Sequence, residues 1–219
     1  AISALLKIRK DALLSNPLVT NHPILFIVRH QYAHDHHNTH TAFPNGKYDY
    51  NGAQGTGSSK NDQFAPFGAL KMIDLKDGGK ITILVETPEG VIRDPDVYWD
   101  GSKIVFSMKK NRNDNYHIYE INIKGKGLKQ LTSLKEVDDL DPVFLPDNRI
   151  AFSSSRELKY VPCNRHRQFN IYCMDADGAN INQITKNNIY DKPSDITPDG
   201  RILYDRWEYI DRDSHNAQG

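Results

Sequence analysis

Five of the chain's nine histidines, His30, His34, His36, His37 and His40, fall within the single stretch RHQYAHDHHNTHT from Arg29 to Thr41. Imidazole at that density, with Asp35 among it, is a ligand set that zinc, copper or iron accepts, and three or four such groups within reach hold a divalent ion. His34 and His36 project to one side wherever the segment is extended. The chemistry open to such an ion is Lewis-acid or redox. The plain alternative is a solvated insertion whose imidazoles hydrogen-bond to neighbouring carbonyls. Two later phrases carry similar residue types: CNRH holds Cys163 and His166, and DRWEY holds Arg206, Trp207 and Glu208. Cys163 is a further metal ligand, a small buried hydrophobe, or a partner for Cys173 in a disulfide. In DRWEY, a pair between Asp205 and Arg206 with Trp207 packed on it is a structural reading of the same residues.

Other chemistries find no support. The sequence has no Gly-x-Ser-x-Gly elbow, phosphate loop, dinucleotide fingerprint or His-Glu-x-x-His. GAQGTGSSKND, from Gly52, is rich in Gly and Ser but has no strand-to-helix context, and reads as a flexible loop. Lys plus Arg and Asp plus Glu both number 28 in 219 residues, so no net field draws the chain to nucleic acid, and no nucleic-acid partner is expected. The apolar start, AISALL and ALLSNPLV, is interrupted by Lys7, Arg9, Lys10 and Asp11, and no run is long enough to insert into a membrane. No signal peptide is present, and the sequence begins at Ala1 rather than Met, which reads as a removed leader or a fragment.

The elements that position these residues follow from a repeat. DPDVYWDGSKIVFS from Asp94 returns as DPVFLPDNRIAFS from Asp141 and as KPSDITPDGRILYD from Lys192. HIYEINIKGKGLKQLT from His117 returns as NIYCMDADGANINQIT from Asn170. The turn aspartates Asp100, Asp147 and Asp199 are spaced by 47 and 52 residues, a period typical of propeller blades. KIVFS, RIAFS and RILYD have the β-branched and aromatic content of buried strands, and the Asp-Gly or Asp-Asn before each supplies a tight hairpin turn. Each unit therefore reads as four antiparallel strands, a to d. Eleven Tyr, eleven Pro and fourteen Gly agree with a turn-rich β protein.

The expected fold is all-β: a propeller of four-stranded antiparallel blades, about three and a half of them, read as part of a larger propeller. A short helical lead-in covers 1–20, with Ile2, Leu5, Leu6 and Leu13 on one side. The partial propeller covers 21–219, with blades at about 21–88, 89–135, 136–187 and an incomplete one at 188–219. The Asp-Pro pairs at Asp94-Pro95 and Asp141-Pro142 read as blade-junction features in which proline sets φ where a strand begins. In this scheme the turns joining a to b lie on one face, and the loops joining b to c lie on the other. The His-rich insertion, RELKYVPCNRHRQF and RWEYIDRDSHNAQG all follow a strand b. They are expected to meet on one rim, with Arg156, Glu157, Arg206, Trp207, Glu208 and Asp211 beside the candidate metal residues His30, His34, His36, His37, His40, Cys163 and His166. Loops on one rigid face are where propellers keep their sites.

The phrasing PDG…I.FS…IY.MD.DG…QLT resembles TolB-like propeller repeats. VRHQYAHDHHNT, GALKMIDL, RDPDVYWDGSKIVFSM, CNRH and DGRILYDRWEYIDRD together resemble propeller-bearing proteins related to the hydrazine synthase alpha subunit. The resemblance covers the chain from about Ile24 onward. It implies an exported protein, periplasmic or secreted, whose propeller accompanies haem-binding domains in the synthase. This sequence departs from that pattern because it holds no Cys-x-x-Cys-His, so c-type haem attachment does not carry over to it. Two functions follow as expectations. The first is a binding or scaffold module that presents its rim to a protein partner, a ligand or an adjacent domain of the same polypeptide. The second is part of a metal- or haem-dependent redox enzyme.

Overall fold

The computed structural model describes residues 2–30, 65–159 and 167–207. Helix α1 (Ile2–Ser15) leads through a single turn, α2 (Pro17–Thr20), into the first strand. Asn16 caps α2, its side chain accepting from the Leu18 N–H at 3.0 Å. No residue of α1 is buried. Among the described residues no helix is long and apolar enough to cross a membrane.

Among the described residues four antiparallel sheets follow in chain order. The first holds β1 (Ile24–Arg29), β2 (Gly68–Asp74) and β3 (Lys80–Thr87). The second holds β4 (Val91–Val97), β5 (Lys103–Lys109), β6 (His117–Asn122) and the two-residue β7 (Lys129–Gln130). The third repeats that order with β8 (Asp139–Phe144), β9 (Ile150–Ser154), β10 (Asn170–Met174) and β11 (Asn182–Gln183). The fourth is the hairpin β12 (Tyr190–Ile196) and β13 (Ile202–Trp207). Gly101, Asn148 and Gly200 take positive φ of 72°, 70° and 83° in the hairpin turns, a conformation that Asp-Gly and Asp-Asn supply at low cost. β1, β5, β9 and β13 are the equivalent strands b, and β4, β8 and β12 the equivalent strands a.

A four-stranded sheet has two faces to bury, and here each sheet packs on the next. Leu25, Ile27, Leu70 and Leu84 of the first sheet meet Ile104, Phe106 and Met108 of the second. Val105 and Ile118, on the second sheet's opposite face, meet Phe144, Ile150 and Phe152 of the third. Val143, Ala151, Ile171 and Cys173 then meet Ile196 and Ile202 of the fourth. The alternation along strand b, Ile104 and Phe106 backward and Val105 forward, is the period-two pattern of a strand buried on both sides. Phe106 and Phe152 have no exposed surface, and each contributes on the order of 2–3 kcal/mol through burial.

Strands a depart from the sequence reading. Asp94-Pro95 and Asp141-Pro142 lie inside β4 and β8, not where those strands begin. Pairing jumps from Arg93–Ser107 to Asp96–Val105 and from Leu140–Ser153 to Val143–Ala151, so each Asp-Pro pair forms a bulge opposite one partner residue. Asp94 and Asp141 adopt φ of 53° and 51° there. Proline tolerates the position because the ladder is already interrupted and no N–H is needed. β12 has its own register shift between Pro193 and Asp195.

Candidate functional site

All four strands b end on the same side of the packed sheets, at Arg29, Lys109, Ser154 and Trp207. The link between the first two sheets also lies there: the Phe67 N–H donates to the Gly90 carbonyl at 2.8 Å, and Thr87 Oγ1 donates to the Lys110 carbonyl at 3.4 Å. Pro66, Pro88, Glu89 and the loop Asn111–Asn113 line a shallow cleft at this rim. Gly90 is required by that closeness, since a Cβ on it would sit 2.0 Å from the Lys109 carbonyl oxygen.

The roots of the third and fourth loops are fixed by buried carboxylates. Asp139, at the start of β8, is fully buried and accepts from Ser154 Oγ at 2.6 Å and from Arg156 Nη2 at 2.9 Å. Burial pushes its carboxyl up to about 6, outweighing the pull of Arg156 and Ser154. Its neighbour Asp138 accepts from Asn115 Nδ2 at 3.1 Å and from the Tyr116 N–H at 2.8 Å. His117 is buried with Nε2 3.6 Å from the Asp114 carboxylate, and burial lowers its pKa, which keeps the imidazole neutral at pH 7. Glu157 accepts from Gln168, Asn170 and Gln183 side-chain amides at 3.2, 3.4 and 3.3 Å and pairs with Lys159. The Lys159 contact holds its carboxyl below the usual range.

In the fourth sheet Arg206 binds Asp191, not Asp205. Nε and Nη2 each lie 2.9 Å from a different oxygen of the fully buried Asp191, a fork geometry suited to a carboxylate. The pairing register explains the choice: Asp191 stands directly opposite Arg206 across the hairpin. Asp205 instead accepts from Ser194 Oγ at 3.1 Å. Trp207 is half-buried on a cluster of Val91, Tyr116, Leu140, Phe169, Ile189 and Tyr190 that joins the last three sheets at the rim.

His30 is exposed at the end of β1, and its carbonyl accepts from Arg29 Nη1 at 3.3 Å. Arg156, Glu157, Arg206 and Trp207 stand at the ends of their strands on the same rim. His34, Asp35, His36, His37, His40, Cys163, His166, Glu208 and Asp211 lie outside the described residues. Among the described residues no group of three or more His, Cys, Asp or Glu is arranged to hold a metal ion. Cys173 is buried in β10, where burial pushes its thiol up.

Residues that the sequence reading passed over include Asp139, Asp191 and His117. The signal for the first two was present: an acid in strand a sits one hairpin away from an arginine at the end of strand b, in both the third and fourth repeats. A second group, where strands a meet, was also passed over. Arg93 and Asp94 pair on β4, Arg93 Nη2 lies 3.7 Å from Asp141 Oδ1, and Lys192 Nζ reaches the same oxygen at 3.0 Å from β12. Burial and the Asp94 charge push the Asp141 carboxyl up to about 7. Burial also disfavours the Asp94 charge, yet Arg93 outweighs it and holds that carboxyl low. Asp94, Asp96, Asp141 and Lys192 line a cavity of about 230 Å³ here, walled by Pro95, Pro142 and Pro193.

Known proteins share this architecture. The chain superimposes on hydrazine synthase from Kuenenia stuttgartiensis with a TM-score of 0.59 at 21% identity, covering 84% of this chain and 28% of that one. It superimposes on TolB from Acinetobacter baumannii with a TM-score of 0.51 at 19% identity, covering 64% of this chain and 32% of that one. Over 42 residues, 19% of this chain and 5% of the relative, it is 45% identical to hydrazine synthase subunit alpha of Kuenenia stuttgartiensis. No protein-family model matches it. The chain thus spans less than a third of the length of each of these proteins, and its fold is that of a TolB-like β-propeller module.

Proposed function

We propose that the chain is the propeller module of an exported protein, periplasmic or secreted, whose loop-bearing rim seats a protein partner, a ligand or an adjacent domain of the same polypeptide. The single observation that carries this reading is the rim itself. All four strands b end on one side, and two of those ends are clamped by fully buried aspartates, Asp139 and Asp191. A clamped root costs less to order on binding than a free loop, so the rim is pre-organised for recognition. Hydrogen exchange on the full-length protein, with and without its partner or neighbouring domains engaged, tests it. Protection is expected at 110–116 and at 155–159, with the turns at Gly101, Asn148 and Gly200 unchanged. Protection confined to those turns overturns the reading.

The 45% identity over 42 residues to a hydrazine synthase subunit favours a second reading, in which the same rim belongs to a metal- or haem-dependent redox enzyme. His34, His36 and His37, with His30, His40, Cys163 and His166 in reserve, are then the proposed ligands of zinc, copper or iron. Metal analysis of untagged protein decides between the two. Bound transition metal below about a tenth of an equivalent, unchanged by His36→Ala and His37→Ala, rejects the second reading, since a built site of this ligand type binds close to one equivalent.

A further inference from the structure

The side of the sheets opposite the rim is built from hairpin turns, and there the second and third repeats place different chemistry at matching positions. In the turn between strands a and b, Trp99 stands where the third sheet has Pro146 and the fourth has Pro198, each just before the turn aspartate. Proline serves that turn in the other two sheets, so the hairpin does not require an indole. Trp99 is 60% exposed, and its ring meets no aromatic or cationic group among the described residues. In the turn between strands c and d, KGKG from Lys124 returns as DGAN from Asp177. Lys124 and Lys126 are exposed, and among the described residues neither ammonium has an acidic partner. Asn122 Oδ1 accepts from both of their backbone N–H groups, at 2.9 and 3.0 Å, which fixes that turn. Asp177 is exposed too, with Oδ1 accepting from the Ala179 N–H at 2.9 Å.

These turns form one rigid surface. The Ile123 N–H donates to the Ser102 carbonyl at 3.0 Å, joining the two turns of the second sheet. The Lys129 ammonium donates to the Asp177 carbonyl at 3.1 Å, and a Cβ on Gly178 would sit 2.4 Å from the Leu131 carbonyl oxygen, so the second and third sheets hold their turns at a set spacing. A basic half bearing an indole therefore lies beside an acidic half bearing a proline. A two-fold axis lying in this surface, between the second and third sheets, exchanges the halves and sets matching repeat positions opposite each other.

We propose that the module pairs with a second copy of itself through this turn surface, Lys124 of each copy on Asp177 of the other and Trp99 of each on Pro146 of the other. The indole covers a proline ring and removes apolar surface from water, and the two lysine–aspartate pairs set register and partner. Lys126 adds to the positive half and Asp175 to the negative half. Asp100 comes opposite Asp147, a like-charge contact that Arg149, 2.6 Å from Asp147, offsets. Both rims then face outward, so the pairing goes beyond the role proposed for the rim and does not depend on it.

Sedimentation equilibrium of the full-length protein tests the pairing. A contact confined to turns predicts a weak dimer, with a dissociation constant of about 1–100 μM at low salt that rises with added salt. Lys124→Glu sets Glu against Asp177, and Asp177→Lys sets Lys against Lys124; each should weaken dimerisation about tenfold or more. An equimolar mixture of these two variants should regain the dimer as a heterodimer, as should the chain carrying both changes, since every pair is then opposite in charge again. Trp99→Ser should weaken it about tenfold as well. A protein monomeric throughout that range, a dimer indifferent to Lys124→Glu, or a mixture that fails to regain the dimer each overturns the proposal. A monomer that binds polyglutamate through Lys124 and Lys126 also overturns it, and assigns the basic half to an acidic partner.

Discussion

The rim and the inner cavity hold the same kinds of charged residue in opposite arrangements. At the rim the two fully buried acids find their bases within their own sheets: Asp139 with Arg156 and Asp191 with Arg206 join strand a to the end of strand b. At the inner strands the partners come from three different sheets, Asp94 and Arg93 from the second, Asp141 from the third and Lys192 from the fourth. A hairpin fixes two residues opposite each other, so rim pairs reach hydrogen-bond geometry at 2.9 Å. The inner group depends on how separate sheets stack: Lys192 reaches Asp141 at 3.0 Å, while Arg93 stays 3.7 Å away. The difference lies in what sets each pair: a single hairpin at the rim, the stacking of three sheets at the inner strands.

The largest effect should come from breaking a rim pair. Asp191→Ala leaves Arg206 and Asn187 without the carboxylate both donate to, and should cost about 3 kcal/mol in urea denaturation, the low end for a buried pair because Arg206 is one-third exposed. Asp141→Asn should instead be close to neutral at pH 8, since it removes a disfavoured charge. If the two variants prove equally destabilising, the contrast drawn here fails.

Protons give the next largest effect. Burial pushes the Asp141 and Asp139 carboxyls up to about 7 and about 6, above the ordinary carboxylate range. The folded state therefore binds more protons than the unfolded one between about pH 4 and 7. Stability must fall as pH rises through that window and level off above it. Thermal midpoints measured from pH 4 to 8 should show the decline, and Asp141→Asn should flatten its upper part. A rise in midpoint across the window would contradict the assignment, unless ionisation of His117, whose folded pKa is lowered, offsets it near pH 6; His117→Gln separates the two.

The smallest effect belongs to the turns on the opposite side. Arg149 Nη2 lies 2.6 Å from Asp147, but both side chains are about half exposed. Asp147→Ser, which keeps a turn-forming side chain, should leave the denaturation midpoint unchanged within error, as solvent-screened pairs contribute little. A measurable loss would mean that turn pairs matter as much as rim pairs.

The hairpins were legible because their causes are local. Asp-Gly and Asp-Asn select the turn, and Ile104, Phe106, Ile150 and Phe152 mark one of the two buried faces of strand b at the spacing that any strand imposes. The identity of Arg206's partner was not legible in DRWEY, where Asp205 is the nearer acid in sequence. Adjacent residues on a strand point to opposite faces, so Asp205 and Arg206 cannot meet as cross-strand neighbours do. Nor did the Asp-Pro pairs announce a bulge, because proline is as well suited to the start of a strand as to its interruption.

By itself the amino-acid sequence determined the repeat, the strand order within each unit and the side of the sheets on which each strand b ends, since these follow from turn chemistry and side-chain period over a few residues. Only the tertiary structure decided that Asp94, Asp141 and Lys192, spread over nearly a hundred residues, share one cavity. Two bulges with positive φ turn the aspartates out of their sheets, and the packing of three sheets brings them together. Such an arrangement depends on the relative placement of whole blades, which no local pattern encodes.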